Sequence, residues 1–102
     1  MATSLSYVTY VYEQLQHFNQ IRYKKMFGEY MIYIYEKPTL LICDHQVYLK
    51  IIESLSDKMN HLEQGYPYQG AKPHYMLNID DIDETVKMIE LVLPYLKVKE
   101  KK

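Results

Sequence analysis

The sequence predicts an α+β domain. An antiparallel sheet of four to six strands is packed by helices, in the order α, three or four strands, α, one or two strands, α. Segments with helical apolar spacing stand near both ends of the chain. Between them lies a stretch of β-branched and aromatic residues cut by short polar links. At 102 residues, 48% hydrophobic and with a net charge of -1, the chain supports one core and excludes a disordered polymer.

Residues 4–18 read as the first helix. Leu5, Val8, Tyr12 and Leu15 recur every three or four positions, and Thr3 or Ser4 can cap the start. The period then changes. Tyr30 to Tyr35, Thr39 to Cys43 and Val47 to Ile51 are three runs of strand-forming residues. Glu36-Lys37-Pro38 and Asp44-His45-Gln46 separate them, and links this short imply antiparallel hairpins. In the third run Val47, Leu49 and Ile51 face one way, while Tyr48 and Lys50 face the other. Ile21 to Phe27, broken by Gly28, reads as a fourth strand or its lead-in.

Residues 54–64 read as a short second helix with the stripe Leu55, Met59 and Leu62 and with Gly65 as its C′ residue. A loop rich in Gly and Pro follows from Gln64 to Pro73, then a short strand from His74 to Ile79. Asp80 to Tyr95 is the most regular helix. Asp81 can cap it with Glu84 three residues on, and Ile82, Val86, Ile89, Leu93 and Leu96 form its stripe. Pro94 should kink or end it. The domain is expected over residues 1–96, with a frayed basic tail at 97–102. That tail carries four Lys and one Glu, so the remainder holds 8 basic against 12 acidic residues and nets -4.

Several function classes find no support. No apolar run approaches the ~18 residues that span a bilayer, and Met1 to Ser6 lacks the basic and apolar regions of a signal peptide, so a cytoplasmic location is expected. A single cysteine, Cys43, precludes an internal disulfide. The soft ligands Cys43, His17, His45, His61 and His74 show no paired metal spacing. Cys43 and His45, two apart at a strand end, have no third group to orient them as a catalytic pair. No phosphate-cradling glycine loop or nucleophile elbow occurs. No catalytic residue, cofactor or metal ligand is assigned, and a non-enzymatic protein is expected.

Two kinds of contact remain. Arg22, Lys24 and Lys25 interleave cations with Tyr23 and could meet nucleic acid together with the C-terminal lysines. The acidic body counts against that, because phosphate affinity comes mainly from Lys/Arg density. The 12 tyrosines suit a protein interface, where Tyr supplies amphipathic area at low entropic cost. The candidates are Tyr7, Tyr10, Tyr33, Tyr35, Tyr66 and Tyr68. Tyr12, Tyr30 and Tyr48 are expected to be architectural.

Lys25-Met26-Phe27-Gly28-Glu29-Tyr30 followed by Ile32-Tyr33, then Leu41-Ile42-Cys43-Asp44 and Tyr48-Leu49-Lys50, resembles the N-terminal domain family of TfoX, also called Sxy. Gly65-Tyr66-Pro67-Tyr68 sits where that family carries Gly-x-Pro-Phe, and the likeness covers about residues 5–96. Met26, Phe27, Gly28 and Tyr30 are the motif residues. Glu29 stands where the family has a second glycine, and Tyr68 where it has Phe. The resemblance implies a secretion-chaperone-like fold, a stand-alone single-domain member, and a regulatory or adaptor role through protein contacts. TfoX itself, with a second, C-terminal domain, regulates natural competence. Similar folds often pair, so a homodimer is one expected contact.

Overall fold

The computed structural model describes residues 3–26 and 29–98. Helix α1 spans Leu5–Gln14, and the Ser4 hydroxyl caps it by accepting from the Tyr7 N–H at 3.3 Å. Four strands follow, β1 (Ile21–Met26), β2 (Glu29–Ile34), β3 (Lys37–Cys43) and β4 (Gln46–Lys50). Glu53–Leu55 forms one 3₁₀ turn that runs into α2 (Ser56–Met59). Strands β5 (Gln64–Gly65) and β6 (His74–Leu77), helix α3 (Ile82–Val92) and a 3₁₀ turn at Leu93–Tyr95 complete the chain. All pairings are antiparallel, in the order β1-β2-β3-β4-β6-β5.

Both hairpins of the central meander close with two residues. Tyr35 and Glu36 have φ of 53° and 62°, and Asp44 and His45 have the same pair of values. Two successive positive φ angles are the pattern of a type I′ turn, whose twist matches the flanking strands. The link read as Asp44-His45-Gln46 is thus one residue too long, since Gln46 enters the ladder, and the link read as Glu36-Lys37-Pro38 is displaced, since Lys37 and Pro38 enter β3 and Tyr35, read as strand, joins the turn. Pro38 is accommodated in a central strand because the register shifts beside it. Ile32 pairs with Leu40 but Tyr33 with Pro38, and the Thr39 hydroxyl donates to the Lys37 carbonyl at 2.8 Å.

The inward row Ile32, Leu40, Leu49 and Tyr75 lies under residues from all three helices: Val8 and Val11, Met59, and Met88, Ile89 and Val92. Several expected details change here. The first helix ends at Gln14 rather than at residue 18, and Leu15 and Phe18 fold under it as core residues. The buried stripe is therefore Val8, Val11, Leu15 and Phe18. Leu5 is 54% exposed, and Tyr12 is half-buried edge-on to Tyr23. The second helix is shorter than residues 54–64, and Gly65 belongs to a strand instead of capping it. The buried face of α3 is Thr85, Met88, Ile89 and Val92, rotated from the Ile82/Val86 stripe. Thr85 tolerates burial because its hydroxyl donates to the Asn78 carbonyl at 2.9 Å. Asp81 caps α3 by accepting from the Glu84 N–H at 3.4 Å, and the helix stops two residues before Pro94. Among the described residues no helix is long and apolar enough to cross a membrane.

Candidate functional site

Strand alternation leaves a second face to the sheet, and no helix packs there among the described residues. The register aligns Lys24, Met31, Leu41, Tyr48 and Met76 across five strands. Met31, Leu41 and Met76 are half-buried. Tyr48 is nearly covered, and burial pushes its phenol pKa up. Gly65 lets β5 close against this row, since a Cβ there would stand 2.6 Å from Met76 Sδ and 3.5 Å from Tyr48 Cε1.

After α3 the chain turns onto this same face. The Lys37 ammonium donates to the Leu93 carbonyl at 3.0 Å and fixes the crossing. Tyr95, Leu96 and Lys97 then wall a groove of about 490 Å³ whose floor is Met31, Leu41 and Tyr48, with Pro38 and Thr39 below and Lys50 and His74 at the rim. The His74 Nδ1–H donates to the Lys72 carbonyl at 2.8 Å, because a carbonyl can only accept.

A larger cleft of about 540 Å³ lies between α1 and the start of α3. Two pairs of its polar side chains meet each other. The Tyr10 hydroxyl donates to Asp80 at 2.5 Å, and His61 meets Glu84 at 2.7 Å. The hydrogen bond to Asp80 raises the Tyr10 phenol pKa, and burial raises that of Tyr7. These contacts tie α1 to the residues leading into α3, and the turn after α2 to α3 itself.

The six tyrosines singled out from sequence do not come together. Tyr7 and Tyr10 line the larger cleft. Tyr33 is only 3% exposed, with the Arg22 guanidinium 4.1 Å above its ring. Tyr35 sits in the first hairpin turn, edge-on to Phe18. Tyr66 and Tyr68 are the most open, at 67% and 60%, in the loop after β5. Of the motif residues, Tyr30 is buried in the core and Met26 ends β1; Phe27 and Gly28 lie outside the described residues. Of the tail, Lys97 and Val98 are exposed, and residues 99–102 lie outside the described residues.

The basic patch is smaller than its sequence. Arg22 donates twice to Glu36, at 2.9 Å each, and the hydrogen bond raises its pKa. Lys24 and Lys25 stand exposed on the edge strand. Cys43 is buried, and burial, then Glu29 and Asp44, push its thiol pKa up to about 11, far from a reactive thiolate. His45 is occupied otherwise, since its Nε2 accepts from the Ser4 N–H at 3.3 Å. Among the described residues no three His, Cys, Asp or Glu side chains are grouped to hold a metal.

Glu29, in place of a glycine, has a local task. It accepts from the Thr3 hydroxyl at 2.8 Å and from the Asp44 N–H at 3.2 Å, tying the start of α1 to the second hairpin. Sequence reading missed Met31, Leu41, Lys50, His74 and Leu96 as site residues. The available signal was the lack of alternation in β2 and β3, where apolar residues occupy both faces.

A six-stranded antiparallel sheet, helix-covered on one face and grooved on the other, defines a small α+β sheet domain. The chain belongs to the TfoX N-terminal domain family, whose model matches residues 13–100. It is also similar to the "uncharacterized 12.7 kDa protein in trpE 5′ region" of Spirochaeta aurantia. The two are 33% identical over 92 residues, covering 90% of this chain and 79% of that protein.

Proposed function

We propose that this chain is a non-enzymatic regulatory or adaptor domain that acts by protein–protein contact through the open face of its sheet. The observation that carries the reading is the row Met31, Leu41 and Met76. It is apolar, joined across β4 by Tyr48, and free of helix cover among the described residues. The buried, protonated Cys43 and the pairing of Tyr10 with Asp80 and of His61 with Glu84 in the cleft support a binding role over a catalytic one. The cytoplasm is the proposed compartment.

Capture from the native host's extract tests it. A partner retained by the wild-type protein should be lost with Leu41→Glu, while the unfolding transition stays cooperative. Retention of every captured protein by Leu41→Glu overturns the reading. A second copy of the chain is one candidate partner, visible as a dimer in light scattering. Competence regulation, the role the family resemblance implies, predicts that deleting the gene lowers transformation in a naturally competent host.

Nucleic acid is the weaker reading, because Glu36 already neutralises Arg22. It predicts oligonucleotide binding that falls steeply with salt.

A further inference from the structure

We infer that the open-face groove receives an acidic peptide segment of a partner protein, anchored by one or two apolar side chains. This rests on the interaction reading above and names the partner's chemistry. The floor of Met31, Leu41 and Tyr48 offers apolar contact in a space of about 490 Å³, which suits side chains. The charged side chains that line the groove are Lys50 and Lys97, with His74 beside them, and no carboxylate lines it. Lys50 and Lys97 enter no ion pair among the described residues.

This local charge opposes that of the body, which nets -4 over residues 1–96. Cations gathered around an apolar floor on an acidic protein select a partner of opposite sign. Nucleic acid fits the same place less well. Two lysines are a sparse footprint for a phosphate backbone, and of the two tyrosines that line the groove only Tyr95, 52% exposed, offers a ring face for base stacking. A second copy apposed groove to groove would set Lys50 and Lys97 of each copy against their like.

Fluorescence anisotropy with a labelled Glu-Asp-Glu-Leu-Phe-Glu-Asp-Glu peptide tests the assignment at low and physiological salt. Saturable binding is expected, weaker with salt, and weaker by about tenfold or more in Lys50→Glu/Lys97→Glu. Both residues are exposed, so the double variant should unfold at an unchanged urea midpoint. The same peptide with Lys for every acid should not bind. The assignment is overturned by no binding at low salt, by equal binding of the lysine peptide, or by indifference to Lys50→Glu/Lys97→Glu. Tighter binding of a single-stranded oligonucleotide at these lysines overturns it in favour of nucleic acid. Self-association lost in the double variant overturns it in favour of a second copy. If capture of a partner depends on Leu41 while the acidic peptide fails, the interaction reading stands and only the acidic assignment falls.

Discussion

Ile32, Leu40, Leu49 and Tyr75 stand in one cross-strand row, and Met31, Leu41, Tyr48 and Met76 stand in the adjacent row on the opposite face. Both rows are apolar, and each ends in or includes a tyrosine. The first is sealed by helices from both ends of the chain, and the second meets the segment after α3 and the backbone of β5 at Gly65. Apolar character alone therefore does not mark a core. What separates the rows is the supply of amphipathic helices, which suffices for one face. The surplus apolar surface is left on the side where the lysines are.

The largest test of the difference is truncation at matched positions. Leu49→Ala should cost about 2–5 kcal/mol by opening a cavity in a sealed layer, whereas Leu41→Ala, half-exposed, should cost about 1 kcal/mol. Urea unfolding of the two variants measures both. Similar losses would mean that the second face is covered as fully as the first.

A pH titration probes where the open face stops. Cys43 shares the outward side of β3 with Leu41 yet is buried. The unfolded thiol titrates near 9.0 and the folded one at about 11. The folded state therefore keeps its proton longer than the unfolded one. This stabilisation is complete below pH 9.0 and is lost as pH rises toward about 11. Stability measured across that range should fall, and less so in Cys43→Ala. At neutral pH a maleimide should label Cys43 only after urea is added.

Smaller effects are expected where helices are fastened to the covered side. Asp81→Ala removes the cap of α3 and should cost about 1 kcal/mol. His45→Ala frees the Ser4 N–H and should cost about as much. The smallest change sharpens the comparison most. Lys50→Glu should shift stability by less than about 0.5 kcal/mol, yet weaken the acidic peptide.

The meander was legible because Tyr30–Tyr35, Thr39–Cys43 and Val47–Ile51 are dense in strand formers between polar links. Its turns were less so. Tyr35-Glu36 and Asp44-His45 lack the Asn-Gly signature of their geometry, so their two-residue length was hidden. Strand β5 was hidden because two residues in a Gly- and Pro-rich stretch carry no period. Thr85 misled the reading of α3, since a polar residue joins a buried face once Asn78 accepts its hydroxyl proton. Of the candidate site almost nothing was legible. The groove is assembled from residues of four strands and from Tyr95–Lys97, which no local spacing brings together. The tyrosine count pointed to composition, and the register dispersed it.

The order of elements along the chain also has a temporal consequence. Strands β2 to β4 join neighbours in sequence through two-residue closures, which cost little loop entropy. They can pair as soon as residues 21–50 have left the ribosome. Their inward row still waits for Met88, Ile89 and Val92, some forty residues behind. Over that interval a nascent chain displays Leu40 and Leu49 uncovered, a species prone to aggregate. A translational pause before α3, or cleavage in the 66–73 loop, would thus be more damaging than the same event after residue 96.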